Sequence, residues 1–152
     1  WQIDSRQHIR HNQRTFPYIQ VVPMDIQRWR EHPAVRRALA ELADVRPALE
    51  TAIAIQQVPA PTFDEAARAA LVLGRFQSMG LSDVSSDAIG NVYARRPGRS
   101  PRPALLVAAH LDTVFPHDTN LRVRYEGDRV YGPGLGDNST GVAGLLHLAQ
   151  AM

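Results

Sequence analysis

Two short segments of the sequence combine residue types that can bind a metal ion. In the first, His110 and Asp112 stand two residues apart at the end of the apolar run 104–109. In an extended chain such residues point to the same side, roughly 7 Å apart at the backbone. A carboxylate on one ring nitrogen fixes the histidine tautomer and leaves the other nitrogen free for a metal. The alternative interpretation is a capped strand end with a solvated Asp112.

The second segment is the glycine-rich turn 132–141, which contains Asp137. Its small residues allow the backbone to approach a bound ion closely. The helix that we expect from about Thr140 would add backbone N–H groups and a positive dipole end. Asp137 could instead cap that helix, but Asn138 and Ser139 compete for the same role. The turn is therefore a second candidate for a metal ligand.

The spacing of the glycines also raises the question of nucleotide binding. Positions 132, 134 and 136 form G-x-G-x-G, which is neither a dinucleotide-binding fingerprint nor a phosphate-binding loop. No lysine follows, and Asp137 would repel a phosphate at the start of the helix. Nucleotide binding is therefore disfavoured.

The elements that must position these segments alternate between helices and strands. The pattern predicts helices over 33–43, 47–56, from the residues after Thr62 to about 79, and from about 140. It predicts strands over 91–95 and 104–109, and a hairpin of 121–125 with 129–131. Thr62 and Glu65 form a capping-box pattern, and Gly80 is a natural C-terminal cap. The continuous apolar run 104–109 is typical of a central strand that is buried on both faces. The predicted class is α/β with a mixed, largely parallel sheet, in which ligands bind at the carboxyl ends of the strands.

The composition restricts the classes of function. With 152 residues, 44% hydrophobic and 21% charged, the chain has ordinary globular composition, and it contains no cysteine. Thiol catalysis, disulfides and cysteine-bound zinc are thereby excluded. No apolar run is long enough to cross a membrane, and residues 31–152 carry twelve arginines against thirteen acidic residues, without a basic stripe. We therefore expect a cytoplasmic protein with neither a nucleic acid nor a membrane as partner.

Four segments taken together resemble the N-terminal part of the catalytic domain of a family of zinc-dependent exopeptidases and deacylases. The family includes aminoacylase, acetylornithine deacetylase, succinyl-diaminopimelate desuccinylase, glutamate carboxypeptidase and tripeptidase. The segments are Pro59-Ala-Pro-Thr62 with Glu65, Asp87-Ala-Ile-Gly-Asn-Val-Tyr-Ala94, His110-Leu-Asp-Thr-Val-Phe-Pro116 and Gly132-Pro-Gly-Leu-Gly-Asp-Asn-Ser-Thr-Gly141. The resemblance covers about 49–152 and implies an α/β/α sandwich.

The resemblance also implies roles for individual residues. His110 would ligate one zinc ion, and Asp112 would be a catalytic residue that orients His110 without touching the metal. Asp137 would bridge two zinc ions, which cobalt or manganese could replace, and the peptide bond that follows it would be cis. The positions after Asp137, which are Asn138, Ser139 and Thr140, depart from the family's pattern, so the subfamily and the substrate stay open.

The implied reaction is the hydrolysis of a peptide or amide bond near a free carboxylate, by a zinc-activated water. The substrate would be a small peptide or an N-acyl amino acid, and a lid domain would form a homodimer. In the family, a Glu-Glu pair that includes the general base, the remaining ligands and the lid come later in the sequence, and this chain contains no Glu-Glu pair. We therefore expect a leader over 1–23 and the front portion of a catalytic domain over 24–152, truncated at Met152 and inactive alone. The alternative is a catalytically dead binding or interaction module.

Overall fold

A computed structural model describes residues 26–100 and 105–152 of the chain. The predicted leader 1–23 and its boundary at Met24 lie outside these residues. The described elements are α1 (Ile26–Glu31), α2 (Pro33–Glu41), α3 (Arg46–Gln56), α4 (Ala66–Ser78), β1 (Ser82–Ser86), β2 (Val92–Arg95), β3 (Arg124–Glu126), β4 (Arg129–Tyr131), a helical turn at Leu135–Ser139 and α5 (Thr140–Ala151). The predicted helices are confirmed, with α4 shorter than expected.

Proline and glycine residues set the ends of several helices. Pro33 occupies the start of α2, where its missing N–H costs no hydrogen bond, and the side chain of His32 caps this helix by accepting from the N–H of Ala34 (3.3 Å). Gly80 adopts a φ of 65° just after α4 and ends that helix, as predicted. Local chain chemistry thus accounts for these boundaries.

The start of α4 corrects the predicted capping box. The helix begins at Ala66, and its N-cap residue is Glu65. The hydroxyl of Thr62 donates to Asp112 (2.8 Å) instead of capping the helix, while Glu65 Oε1 accepts from the N–H of Phe63 (2.6 Å). The Thr62 side chain, which was expected to cap α4, therefore binds a segment that is distant along the chain.

The strands form two small antiparallel sheets. β1 pairs with β2, and β3 pairs with β4 in the predicted hairpin, which turns at Gly127 with a φ of 58°. In the part of the chain that the structure describes, parallel pairing is limited to a bridge between Pro61 and Thr113. The chain thus contains both helices and strands, as expected for an α/β protein, whereas the largely parallel sheet and the sandwich are not confirmed.

The apolar run 104–109 differs most from its prediction. Its first residue lies outside the described residues, and 105–109 form no strand. Leu105 and Leu106 are 81% and 86% exposed, so the expected burial on both faces is wrong. A strand needs neighbours that pair with its N–H and C=O groups. No described strand pairs with this segment, and the apolar pattern alone cannot supply a partner.

The core lies between α3, α4, α5 and the turn at Leu135–Ser139. Its buried side chains are Ala52, Ile55, Val72, Phe76, Leu135, Val142, Ala143 and Leu146. The partly buried side chains of Ala109 and Leu111 pack against this core. They alternate with His110 and Asp112, which are thereby held at its surface. No helix among the described residues is long and apolar enough to cross a membrane.

Candidate metal-binding site

His110 lies between two carboxylates that come from different parts of the chain. Its Nδ1 is 3.1 Å from Asp112 Oδ1, and its Nε2 is 2.9 Å from Asp137 Oδ1. The structure therefore brings together all three residues that were predicted to form the site. Asp112 lies at Nδ1 and Asp137 lies at Nε2. This arrangement is the one expected if Asp112 orients the ring and Nε2 and Asp137 bind the same metal ion.

The glycine-rich turn places Asp137 opposite His110. Gly134 has a φ of 69°, and a Cβ at this position would lie 2.9 Å from Thr113 Cγ2, so the turn can pack this closely only with glycine. The peptide bond between Asp137 and Asn138 is cis, which confirms the expectation from the resemblance. The Asp137 side chain is 91% exposed and is open to ions from solvent.

Gln56 fixes the other end of this turn. Its side chain is completely buried, and its Nε2 donates to the carbonyl oxygens of Pro133 and Leu121, both at 2.9 Å. Its Oε1 accepts a hydrogen bond from Gln57 Nε2 (2.6 Å). A buried amide with these partners joins the last turn of α3 to the start of the glycine-rich segment.

Arg68 fixes the segment that carries His110 and Asp112. Although its guanidinium is charged, the residue is only 2% exposed. Nη1 donates to the carbonyl oxygen of Leu111 (2.7 Å), while Nε and Nη2 donate to that of Val58 (3.1 and 2.6 Å). Burial lowers the pKa of Arg68, and the charge of Asp112 opposes this change. The guanidinium thus holds two backbone segments together beneath the site.

Hydrogen bonds shift the pKa values of His110 and Asp112. Partial burial lowers the pKa of His110, but the hydrogen bonds with Asp137 and Asp112 outweigh burial, and the net pKa lies above the ordinary value. The hydrogen bond from Thr62 is the largest cause that lowers the pKa of Asp112, followed by the bond with His110. In the absence of a metal, these contacts favour the protonated form of His110 more than the surroundings of an ordinary histidine do.

The three residues border an open depression of about 320 Å³, which Thr113, Val114 and Phe115 also line. The depression thus combines apolar side chains with the convergent polar groups of the site.

The donor set fits part of a zinc site. Zinc accepts imidazole nitrogen and carboxylate oxygen at about 2.0–2.2 Å, so two ligands of a tetrahedral ion lie about 3.3 Å apart. The distance of 2.9 Å between His110 Nε2 and Asp137 Oδ1 needs only a small adjustment to meet this value. Over 26–100 and 105–152, no group of three or more His, Asp or Glu side chains is placed to hold a metal ion. The described residues thus offer two candidate ligands, whereas a catalytic zinc site normally has three from the protein.

The remaining histidines of interest have other partners. His117 Nε2 lies 2.9 Å from Asp64 Oδ2, and His147 Nε2 lies 3.0 Å from the Thr51 hydroxyl, between α5 and α3. The contact of His147 links α5 to α3. Sequence reasoning did not identify Gln56 or Arg68 as residues that support the site, because only their positions in the fold distinguish them from surface residues of a helix.

Two comparisons place the chain among known proteins. Residues 91–152 match the model of Peptidase family M28. Carboxypeptidase G2 from Pseudomonas sp. (strain RS-16) is 30% identical over 124 residues, which are 80% of this chain and 28% of the carboxypeptidase. The chain thus matches little more than a quarter of that relative's length. Both comparisons agree with the motifs and confirm that the chain resembles part of the catalytic domain of zinc-dependent exopeptidases.

Proposed function

We propose that the chain carries part of the active site of a metal-dependent hydrolase, an exopeptidase or deacylase that cleaves a peptide or amide bond. The observation that carries this proposal is the position of His110, whose two ring nitrogens face Asp112 and Asp137. A ring nitrogen held by a carboxylate leaves the opposite nitrogen available as a ligand. The similarity to a peptidase family and to a carboxypeptidase supports the same reaction class.

In this proposal, His110, Asp112 and Asp137 have different roles. His110 Nε2 and the carboxylate of Asp137 would hold zinc, and Asp137 has a second oxygen for a second ion. Asp112 would keep the proton on His110 Nδ1 and hold the orientation of the ring. When bound, zinc polarises the carbonyl group of the substrate and lowers the pKa of the attacking water. The exposed Asp137 and the adjacent depression leave room for a substrate beside these ligands.

The proposal requires further residues. Because a catalytic zinc ion normally has three protein ligands and the described residues supply two, the remaining ligands and the general base must come from elsewhere in the protein. We further propose small peptides or N-acyl amino acids as substrates, cobalt or manganese as replacements for zinc, a cytoplasmic location and a homodimer formed through a lid domain.

The first experiment measures zinc binding by this chain. We expect weak binding, which His110→Ala and Asp137→Ala should abolish because each substitution removes a ligand atom. Asp118→Ala, which changes an exposed aspartate of the neighbouring loop, serves as the control. Zinc titrations of the four proteins check this expectation. Equal zinc affinity in all four would contradict the proposed site.

The second experiment measures turnover in the longest natural protein that contains this sequence. A panel of dipeptides, tripeptides and N-acyl amino acids should reveal hydrolysis that depends on zinc and on His110. The alternative is a catalytically dead binding or interaction module. Absence of turnover with zinc, cobalt and manganese would support that alternative.

A further inference from the structure

The segment 58–62 lies directly against the segment that carries Asp112. The N–H of Thr113 donates to the carbonyl oxygen of Ala60 (2.8 Å), and Pro61 and Thr113 form a parallel bridge. Ala60 is only 1% exposed. The backbone of Thr62 is therefore held at a fixed distance from Asp112 by neighbours on the same stretch of chain.

The Thr62 hydroxyl completes the set of contacts around the Asp112 carboxylate. Thr62 Oγ1 donates to Oδ2 (2.8 Å), while Oδ1 faces His110 Nδ1 (3.1 Å). Each carboxylate oxygen thus has its own partner, and the two contacts together fix the orientation of the carboxylate plane. Without the hydroxyl, Oδ2 would lose this hydrogen bond, and the carboxylate would be freer to rotate away from the imidazole.

An ordinary role as a helix cap does not account for this hydroxyl. α4 begins at Ala66, four residues after Thr62, and Glu65 is its N-cap residue. The N–H of Phe63 is bonded to Glu65 Oε1. The hydroxyl therefore makes a contact that spans 50 positions of the chain, in place of the local one.

We infer that Thr62 is a positioning residue for the imidazole of His110, through the carboxylate of Asp112. This inference rests on the proposed metal site, because it assumes that His110 is a metal ligand whose orientation the Thr62 contact stabilises. Thr62 would not touch the metal. Its hydrogen bond sets the direction in which the Asp112 carboxylate presents Oδ1 to His110 Nδ1, which also lies 3.1 Å from the Asp112 carbonyl oxygen. A merely structural role would affect the stability of the fold but not the environment of this ring.

The test compares Thr62→Val, which keeps the shape but removes the hydroxyl, with Thr62→Ser, which restores the hydroxyl. Thr119→Val in the neighbouring loop is the matched control, since the described residues give the Thr119 side chain no hydrogen bond and only its N–H donates, to Pro116. Thr62 is exposed, so the valine variant is expected to fold. The imidazole ¹H and ¹⁵N resonances of His110 are measured first without metal and then during a zinc titration at one fixed pH.

We expect Thr62→Val to shift the His110 Nδ1 resonances and to weaken zinc binding by about 3-fold to 10-fold, less than the loss typical of a direct partner of a ligand. Thr62→Ser and Thr119→Val should resemble the unmodified protein in both measurements. Unchanged His110 resonances in folded Thr62→Val would overturn the inference. If the unmodified protein binds no zinc at His110, the proposed function fails, whereas the metal-free resonances still decide the role of Thr62.

Discussion

The side chain of Asn138 packs against the Cα of Gly141 at the start of α5, where the side chain of a larger residue would lie. A Cβ on Gly141 would lie 2.8 Å from Asn138 Cγ and 3.1 Å from its Nδ2. Asn138 directly follows the proposed ligand Asp137, so this packing joins the glycine-rich turn to the helix. A side chain at Gly141 must therefore displace Asn138.

Gly141→Ala should lower the free energy of unfolding by about 1–3 kcal/mol, because it overpacks this contact. Gly144→Ala is the matched control in the same helix, since a Cβ there meets nothing within 4 Å. It should raise stability by about 0.5–1 kcal/mol, because alanine favours the helix. Urea unfolding monitored by circular dichroism measures both changes. A gain in stability from Gly141→Ala would show that the Asn138 contact imposes no constraint.

Phe63→Gly should stabilise the protein. Phe63 adopts a φ of 73° and is 97% exposed, so the side chain contributes no packing to offset its unfavourable backbone. The left-handed conformation costs a bulky residue roughly 1–2 kcal/mol. Part of this gain is lost through the greater freedom of glycine in the unfolded chain, and we expect a net gain of about 1 kcal/mol.

The control for Phe63→Gly is Asp83→Gly at the other described non-glycine position with a positive φ, 53°. Aspartate tolerates this conformation better than phenylalanine, so the change should be close to zero. Thermal unfolding of both variants checks the difference between them. Equal changes at the two positions would mean that residue type has no influence on the strain.

The Asp87 carboxylate should make the stability of the β1–β2 hairpin depend on acid pH. Its pKa is lowered most by the hydrogen bond from the Asn91 side chain, then by those from Tyr93 and from the N–H groups of Asn91 and Ile89. Because the pKa in the folded protein lies below the unfolded value of about 3.9, the stabilisation is complete above the unfolded value and is lost as the pH falls through the folded one.

Asp87→Asn removes this titration. The difference in unfolding free energy between the unmodified protein and Asp87→Asn should be constant above about pH 5 and should shrink as the pH falls below about 4. Asp128→Asn, in the turn between β3 and β4, is the control for the loss of an aspartate charge outside this hairpin. Urea unfolding at a series of pH values measures both differences. A difference for Asp87→Asn that grows toward acid pH would have the wrong sign.

Asp112 and Asp137 should respond differently to substitution, because one holds a ligand and the other would be a ligand. Asp112→Asn keeps an acceptor for His110 Nδ1 but loses the charge, so zinc affinity should fall by about 10-fold to 100-fold at most. Asp137→Ala removes the carboxylate itself and should abolish binding of both ions. Two measurements distinguish the two variants. They are the zinc content after dialysis and the turnover of a peptide panel, both made in a longer natural protein that contains this sequence. Retention of two zinc ions by Asp137→Ala, with loss in Asp112→Asn, would reverse the assignment.

Local signals in the sequence predicted the helices well. Pro33 and Gly80 mark helix ends through the φ angles that their own covalent structure permits, so no knowledge of distant residues was needed. The hairpin of β3 and β4 follows similarly from its turn at Gly127. The apolar run 104–109 shows the limit of such reasoning. Apolar side chains favour burial, but pairing depends on neighbours that the run itself does not specify.

The candidate site was predictable in its central residues but not in their supports. His110, Asp112 and Asp137 could be found because their types and spacing match a known pattern. Thr62 could not, since its hydroxyl fits a helix cap equally well, and only the folded chain determines that Asp112 is its acceptor. Arg68 stands among alanines on a helix, and the fold alone shows that its guanidinium is buried beneath the site.

The hydrogen bonds of Gln56 have a consequence for the order of folding. They reach residues that lie 65 and 77 positions further along the chain, so α3 and the glycine-rich turn cannot be joined until a long loop has closed. The turn should therefore reach its final position late, after the helices have formed. In native-state hydrogen exchange, amides of 134–139 should open together with those at the end of α3. A bound metal ion would slow this shared opening, because it binds only when the turn is in place.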